Sequence, residues 1–273
     1  MREDLEKVIK TDYGSVFTRY HHCNAELTVI LNHGNSTSAR FWEPIITALR
    51  FQPVNVLSWD LPGHGLSPQA PSPLEGYSLP AYAAILAKLI DHYQLTRFYL
   101  VGHSLGGHVI LEAPELLRKS EGAMIVGTPP LGMPPQLQEA FLMSPQFQNF
   151  MQPDVSYKVI EATFASMLSY DKKSNASLLA EDFFRTDPTA RMSLAQNIIA
   201  GKHIDEIKTV RESPVPLLLI RAERDCMVNS TYFDLFLPDI QILQIEDFGH
   251  YAPLENPQFF VDLILRSLHG AVA

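Results

Sequence analysis

The stretch YLVGHSLGGHVIL, residues 99–111, places one hydroxyl side chain, that of Ser104, on a glycine-rich turn between two apolar runs. Its centre, GHSLG at residues 102–106, follows the pattern G-x-S-x-G, in which a serine sits on a sharp strand-to-helix turn with its hydroxyl exposed. The glycines supply the room that such a turn requires. The stretch therefore predicts a strand, a tight turn and a helix, with Ser104 as a candidate nucleophile or as an ordinary helix N-cap.

The position of Ser104 at the start of a predicted helix favours chemistry in which negative charge develops. Backbone N–H groups at a helix N-terminus have no partner within the helix and attract anions. The N–H of Leu105 is therefore the first candidate donor of an oxyanion hole. Since Gly and Ser are common residues, the pattern alone is weak support, and the rest of the chain has to supply a base and an acid.

A serine nucleophile needs a base, and the base needs an orienting carboxylate. In folds that hold a serine on such a strand-to-helix turn, the carboxylate and the histidine follow the serine along the chain in the order Asp or Glu, then His. Asp225 at the end of PLLLIRAERD and His250 in the loop EDFGHYAP meet that order, and both follow predicted parallel strands, whose carboxyl ends gather at one edge. Glu223 is a rival acid and Asp247 lies near the base. Asp225 is favoured because it lies deeper in its loop and precedes an apolar Cys-Met-Val.

A second oxyanion donor is expected in the loop HGNS at residues 33–36, which follows the first buried strand. The backbone N–H of Asn35 can face the same point as the N–H of Leu105. The alternative for Asn35 is a turn-forming role, which is the commoner one for Asn beside Gly.

Apolar runs alternate with helical spacing along most of the chain, after a predicted hairpin around DYG at residues 12–14. Strands are predicted at residues 27–32, 54–59, 98–101, 123–126, 216–220 and 240–245, and helices from near residue 42 and at residues 79–93, 105–117 and 257–268. This alternation predicts an α/β fold with a mostly parallel sheet covered on both faces by helices. Residues 129–205 lack strand-like runs and predict a helical insertion into a core formed by residues 1–128 and 206–273.

Composition excludes several functional classes. Hydrophobic residues make up 46% and charged residues 19%, enough for a large core, and the net charge of −9 with no basic cluster argues against nucleic acid as a partner. The first ten residues lack the apolar stretch of a signal peptide, and no run is long enough to span a membrane. Two cysteines without metal-like spacing suit a reducing compartment, so a cytoplasmic location is expected. Neither a metal site nor a nucleotide cofactor is predicted.

Together these motifs resemble the α/β-hydrolase superfamily over essentially the whole chain. The matching pieces occur in the expected order: HGN at 33–35, DLPGHGLS at 60–67, GHSLGG at 102–107, Asp225, and GHYAPLENP at 249–257. The resemblance implies an α/β-hydrolase fold in which residues 129–205 form a helical cap over the active site.

Within that superfamily the chain looks most like the serine-dependent N-acyl homoserine lactonases of the AidH type. The pieces that carry this closer resemblance are HGNSTS at 33–38, DLPGHG at 60–65, SLGGH at 104–108, GTPP at 127–130 and RTDPTAR at 185–191. The family has a glutamate at the place of Asp225 and a tryptophan at the place of His103. A cap tyrosine assists substrate binding in that group, and Tyr157 is its nearest counterpart here. The resemblance thus implies substrate-binding roles for His103 and Tyr157.

The sequence therefore predicts a cofactor-independent serine hydrolase whose partner is a small acyl ester or lactone. Ser104 would attack, His250 would act as base, Asp225 would orient the base, and the N–H groups of Asn35 and Leu105 would bind the oxyanion. The alternatives are a general carboxylesterase, a hydrolase of carbon–carbon bonds, and a ligand receptor that keeps the hydrolase scaffold.

Overall fold

One eight-stranded sheet organises the protein. A computed structural model describes residues 3–152, 154–168 and 170–270. The strands run in the spatial order β1-β2-β4-β3-β5-β6-β7-β8; β1 and β2 are antiparallel to their neighbours, and all other pairs are parallel. Their bounds are Glu3–Thr11, Gly14–His22, Leu27–Asn32, Asn55–Trp59, Arg97–His103, Ala123–Val126, Leu217–Ala222 and Ile242–Ile245 for β1 to β8.

The central strands are buried because helices cover both faces of the sheet. Every residue of β4 and of β6 is buried, and side chains along β3 alternate between two hydrophobic clusters. Ile30 packs with helices on one face, whereas Val29 and Leu31 pack with helices on the other. This arrangement accounts for the continuous apolar runs in the sequence, and it confirms the predicted α/β fold.

The described residues form fourteen α-helices, and helices cover both faces of the sheet. The helices α3 and α4 pack in one cluster, while α1 and α14 pack in the other. The bounds of α1 to α7 are Glu43–Leu49, Pro73–Gly76, Leu79–His92, Leu105–Leu111, Pro114–Lys119, Leu137–Ala140 and Pro145–Met151. Those of α8 to α14 are Tyr157–Met167, Ala176–Arg185, Pro188–Ile199, Glu206–Arg211, Ser230–Phe236, Ala252–Glu255 and Pro257–Leu268, and two short 3-10 helices span Ala39–Trp42 and Tyr170–Asn175.

The prediction of a single helix over residues 105–117 is wrong in one respect, because the structure has two helices there, α4 and α5. Helix α4 ends at Leu111, and α5 begins at Pro114 after Ala113 with its non-helical backbone angles. Proline has no N–H to donate and its ring clashes with the preceding turn, so it starts a helix far better than it continues one.

Between β6 and β7 the described residues form helices, apart from an isolated bridge that joins Phe141 to Val228. The chain leaves and re-enters the core at one place: the Glu206 N–H donates to the Leu131 carbonyl over 2.8 Å, and Glu206 Oε2 accepts from the Leu131 N–H over 2.8 Å. The same buried carboxylate takes a 2.8 Å hydrogen bond from Nδ1 of His108 on α4. The segment is thus anchored to the helix that follows Ser104. None of the described helices combines the length and apolarity that a bilayer crossing requires.

Candidate active site

Ser104 lies in a strained turn between β5 and α4. Its backbone angles, φ 50° and ψ −118°, fall in a region that residues other than glycine rarely adopt. The turn is held by a 2.9 Å hydrogen bond from the Ser104 N–H to the Val126 carbonyl and by one of 2.8 Å from the Thr128 hydroxyl to the Ser104 carbonyl. The Ser104 side chain makes no capping hydrogen bond with α4. The geometry therefore favours the nucleophile interpretation over the N-cap interpretation.

The tightness of the turn depends on Gly106. A Cβ atom at this position would lie 2.1 Å from the carbonyl oxygen of Asn32, which belongs to the backbone and cannot move aside. The start of α4 therefore packs directly against the end of β3, and the G-x-S-x-G pattern is required here by space.

His250 and Asp225 form a buried pair at the ends of the last two strands. Nδ1 of His250 lies 2.7 Å from Oδ2 of Asp225, and the two side chains are 5% and 4% exposed. The other carboxylate oxygen, Oδ1, accepts the N–H groups of Met227 and Val228 at 2.8 and 3.0 Å. Because Nδ1 donates to the carboxylate, the imidazole presents Nε2 as its proton acceptor.

The two rival acids lie outside this pair. The Glu223 carboxylate is exposed and accepts the N–H of Asp247, and Asp247 forms an ion pair with Arg224. Neither is hydrogen bonded to His250. The geometry thus favours Asp225 as the partner of the histidine.

His103, the last residue of β5, connects the turn of Ser104 to the loop of His250. Nε2 of His103 lies 2.8 Å from the backbone carbonyl of His250. Within the described part of the chain, no hydrogen bond joins Ser104 Oγ to His250 Nε2. Catalytic hydrogen bonds of this kind often tighten only when substrate binds.

The loop after β3 packs against the turn of Ser104. A Cβ on Gly34 would lie 3.3 Å from Ser104 Cβ and 2.9 Å from His103 Nδ1. Among the described residues, the N–H groups of Asn35 and Leu105 have no hydrogen-bond acceptor. Two unpaired backbone donors beside a serine are the arrangement that an oxyanion hole requires.

Buried histidines stiffen this loop from behind. Nδ1 of His33 donates to the Gly34 carbonyl over 2.7 Å, so its Nε2 accepts the N–H of Leu61 at 3.0 Å. Burial lowers the pKa of His33 to about 4, which keeps the ring neutral and its Nε2 able to accept. Ser36 completes the turn with a φ of 59°.

A family model described as the alpha/beta hydrolase family matches residues 29–263. The chain belongs to this family. The matched range includes the strained serine turn, the loop after β3 and the His250–Asp225 pair, and it leaves out residues 1–28, which contain β1 and β2, and residues 264–273.

Solved structures of hydrolases with this fold superpose over nearly the whole chain. N-acyl homoserine lactonase AidH, complexed with N-butanoyl homoserine, has a TM-score of 0.84 at 23% identity and covers 98% of this chain and 97% of its own. Carboxylesterase CesB (YbfK) from Bacillus subtilis has a TM-score of 0.73 at 19% identity, with 99% and 93% covered. The AidH-type resemblance stated from the sequence is thus matched by structural similarity, which at this identity shows the fold.

A sequence relative has a different name. A Bacillus subtilis protein provisionally called 2-succinyl-6-hydroxy-2,4-cyclohexadiene-1-carboxylate synthase is 25% identical over 260 residues, which cover 90% of this chain and 91% of that protein. Relatives of this fold therefore have names from several reaction types, so the substrate has to be argued from the site.

The substrate-binding role implied for His103 stays a prediction, and the contacts of this side chain are with protein groups. Its ring is fully buried, stacks on Phe41 at 4.6 Å between centroids and binds the backbone of His250. A side chain enclosed in this way contacts the loop of the base, and direct contact with substrate is not supported.

The role implied for Tyr157 also stays a prediction, and its contacts lie within the inserted segment. Its ring is 40% exposed and stacks on Phe184, and its hydroxyl donates to the Ser177 carbonyl over 3.3 Å. These contacts join α8 to α9, and none of them involves the serine, the histidine or the acid. The position supports packing between two helices of the inserted segment.

The sequence did not predict the contacts between the inserted segment and residues 33–40 after β3, which are called the oxyanion loop below because of their proposed role. The buried Asp182 on α9 accepts from the Ser38 hydroxyl at 2.6 Å and from Arg40 Nη1 at 3.2 Å. Arg191 on α10 donates to the Ser36 hydroxyl over 3.3 Å. The only sequence signal near these contacts was RTDPTAR at 185–191. This stretch contributed to the resemblance to AidH-type lactonases, but no function was predicted for its residues. No group of three or more potential metal ligands occurs in the described residues.

Proposed function

We propose that this protein is a cofactor-independent serine hydrolase that cleaves an ester or lactone bond of a small acyl compound. The observation that carries the proposal is the strained turn of Ser104, whose hydroxyl does not cap α4, together with the His250–Asp225 pair. The neighbour of Ser104, His103, is hydrogen bonded to the backbone of His250. Ser104, His250 and Asp225 match the nucleophile, base and acid constellation of acyl transfer, in the chain order typical of the family.

Acylation begins when Ser104 Oγ attacks the carbonyl carbon of the substrate. Nε2 of His250 takes the hydroxyl proton, and Asp225 holds the imidazole in the correct tautomer and stabilises the imidazolium. The Asp225 carboxylate has its other oxygen bound to two backbone N–H groups. It therefore stays fixed while the charge on the ring changes.

The tetrahedral intermediate places a negative oxygen near the N–H groups of Leu105 and Asn35. Each such donor contributes about 3–4 kcal/mol to stabilising the transition state. The loop is held by His33 and by close packing of Gly34 on the turn, so the donors need little reorganisation as charge develops.

Collapse of the intermediate releases the alcohol, which takes the proton from His250. Water then attacks the acyl-serine, gives a proton to His250 and releases the acid, with Ser104 regaining its hydrogen. For a lactone the alcohol stays attached to the acyl group, so a single hydroxy acid leaves. Every proton in the cycle passes through Nε2 of His250.

The substrate class rests on the inserted segment, which we propose acts as a cap from residue 129 to residue 205. Its helices contact the oxyanion loop through Asp182 and Arg191. The structural similarity to a lactonase crystallised with N-butanoyl homoserine and to a carboxylesterase supports small acyl substrates.

The proposal is tested by mass spectrometry of the intact protein after brief exposure to p-nitrophenyl butanoate. We expect an acyl adduct on Ser104 in the wild type and none in Ser104→Ala, with release of p-nitrophenolate in the wild type alone. Equal turnover by both proteins would contradict the assignment of the nucleophile.

Lactone and open-chain substrates of matched acyl length then separate the closest alternatives. A preference for N-acyl homoserine lactones supports a lactonase, and a preference for simple esters supports a general carboxylesterase. Cleavage of a diketone without ester turnover would indicate the carbon–carbon hydrolase. A single covalent event without turnover would favour the receptor.

A further inference from the structure

Arg191 lies on α10, where its side chain turns toward the oxyanion loop. Its guanidinium carbon is 4.1 Å from the centre of the Phe183 ring, a distance at which the cation stacks on the aromatic face. Nη1 donates to the Ser36 hydroxyl at 3.3 Å and to the Phe183 carbonyl at 3.4 Å. Stacking and two hydrogen bonds thus fix the plane of the guanidinium.

The charge of this arginine has no carboxylate partner. In residues 3–152, 154–168 and 170–270, no ion pair within 4.0 Å includes Arg191, whereas the neighbouring Arg40 pairs with both Glu181 and Asp182. Asp187 attracts the guanidinium from a distance, but its oxygens are bonded to the Tyr77 hydroxyl and the Thr189 N–H. Burial lowers the pKa of Arg191, because a desolvated cation without a counterion is costly.

The free edge of the guanidinium has the geometry of an anion site. Both hydrogen bonds of Arg191 use Nη1, so the Nε and Nη2 groups have no acceptor among the described residues. These two groups share one edge of the planar fork, and such an edge binds a carboxylate through two parallel hydrogen bonds.

Arg191 contacts the same loop that packs against the turn of Ser104. Arg191 contacts Ser36, and Gly34, two residues earlier, packs on Ser104. Two residues of extended chain span at most roughly 7 Å. Arg191 and the turn of Ser104 therefore contact the same short loop, and a substrate that reaches both would need a spacer of a few methylene groups.

We propose that Arg191 binds a carboxylate of the substrate and makes the enzyme selective for acyl compounds with an acid group beyond the scissile ester. The inference rests on the proposed function, because it assigns a second subsite to the same active centre. The negative net charge of the protein opposes anions in general, so the local cation has to supply the attraction for this one.

The first experiment measures binding without turnover. Monomethyl glutarate and a neutral isostere, in which an isopropyl group replaces the carboxylate, are titrated by calorimetry into Ser104→Ala and into Ser104→Ala with Arg191→Gln. A charge-assisted bidentate contact predicts that the added Arg191→Gln weakens glutarate binding by about 10- to 100-fold and leaves binding of the isostere unchanged.

The second experiment measures kcat/KM for the corresponding p-nitrophenyl esters in the wild type. We expect the glutarate monoester to be favoured over its isostere, Arg191→Gln to abolish the preference, and Arg191→Lys to restore part of it, because a lysine keeps the charge but not the fork. Raising the salt concentration should reduce the preference in the wild type. The matched control is Arg185→Gln, which removes the same charge from an exposed position on α9 and should leave the preference intact.

The outcomes separate this inference from the proposed function. Hydrolysis of both esters with equal efficiency would overturn the carboxylate subsite while the serine hydrolase stands. Arg191-dependent glutarate binding without hydrolysis would support the subsite and contradict the hydrolase. An equal loss of both esters in Arg191→Gln would show that the arginine only fastens α10 to the loop, and it would also overturn the inference.

Discussion

Nε2 of His103 donates a hydrogen bond to the backbone carbonyl of His250 over 2.8 Å. The residue before the nucleophile candidate therefore holds the loop of the base candidate, and its ring is fixed by stacking on Phe41. The other ring nitrogen, Nδ1, is buried without a partner, and burial holds the pKa of His103 well below its usual range. We infer that His103 is a positioning residue, which keeps His250 at the correct distance from Ser104.

Replacing His103 by Phe should lower kcat about tenfold and leave KM nearly unchanged. The phenyl ring preserves the stacking but loses the hydrogen bond, so the base is held less firmly, and small misplacements of a catalytic group reduce the rate. Steady-state kinetics with an ester substrate gives both constants.

The control for this change is His203→Phe. His203 is also buried, donates from Nδ1 to a backbone carbonyl at 2.8 Å and leaves its other nitrogen unpaired, but its partner is Ile204. An equal loss of kcat in both variants would mean that general destabilisation, and not the His103 contact, lowers the rate.

The identity of the acid is tested by Asp225→Asn against Glu223→Gln. The asparagine keeps the shape of Asp225 but can impose the wrong tautomer on His250, and in a serine triad this change lowers kcat by about 10⁴-fold. Glu223 is exposed and contacts the N–H of Asp247, so its replacement should change kcat less than twofold. The opposite ranking of the two kcat values would transfer the role to Glu223.

Gly34→Ala tests whether activity depends on the close packing of the oxyanion loop against His103. The new methyl group would lie 2.9 Å from His103 Nδ1, in a ring that is stacked and hydrogen bonded. Since the ring cannot move aside, the loop should shift, and the Asn35 N–H should no longer point at the oxyanion. We therefore expect kcat to fall by about 10- to 100-fold.

Gly132→Ala is the matched control for crowding. A Cβ at residue 132 would also lie 2.9 Å from its nearest neighbour, but this is Oε1 at the far end of the flexible Gln136 side chain, which accepts long hydrogen bonds from the Gly132 N–H and the Tyr232 hydroxyl. The glutamine can rotate away, so kcat should be retained. A comparable loss of kcat in the two alanine variants would contradict the proposed role of the loop.

Stability should depend on pH through Glu112, a buried carboxyl on the carboxyl side of α4. Burial raises the pKa of Glu112 to about 7, and the nearby charge of Glu206 adds to the increase. A carboxyl with a raised pKa in the folded state stabilises the protein at pH values below its unfolded pKa of about 4.5, and this contribution is lost as the pH rises through 7.

Glu112→Gln should therefore be more stable than the wild type at pH 8 by about 1–3 kcal/mol, and the difference should shrink toward pH 5. The amide oxygen can still accept the N–H of Ile204, which now binds Glu112 at 3.0 Å. Urea unfolding at several pH values measures the free energies. Glu26→Gln, at a position 85% exposed, is the control, and parallel pH profiles for all three proteins would refute the prediction.

Local patterns carry enough information to predict the sheet. The apolar runs at β3, β4, β5 and β6 are continuous because these strands are buried on both faces, and that burial is a property of each strand by itself. The break at Pro114 was missed because apolar spacing continues across it, even though the proline is visible in the sequence.

Local sequence patterns could not predict the contacts between distant residues that shape the site. His103 and His250 are 147 residues apart, and Arg191 and Ser36 are 155 apart. No repeating pattern in the sequence reveals either contact, because each contact depends on how the strands and the inserted helices pack together. The sequence therefore indicated which side chains could react, and it could not tell that His103 binds the loop of His250 or that an unpaired arginine contacts Ser36.

Glu206 closes the inserted segment on itself by bonding to both the N–H and the carbonyl of Leu131. Because entrance and exit are only one hydrogen bond apart, a replacement segment needs no particular length or shape of its own to rejoin the strands. A chimera that exchanges residues 132–205 for those of another family member keeps the strands in place, but it has to supply new partners for Ser36 and Ser38, which Arg191 and Asp182 bind in this protein. The inserted segment can thus vary between relatives without changing the path of the central strands, provided that its contacts to Ser36 and Ser38 are replaced by equivalent ones.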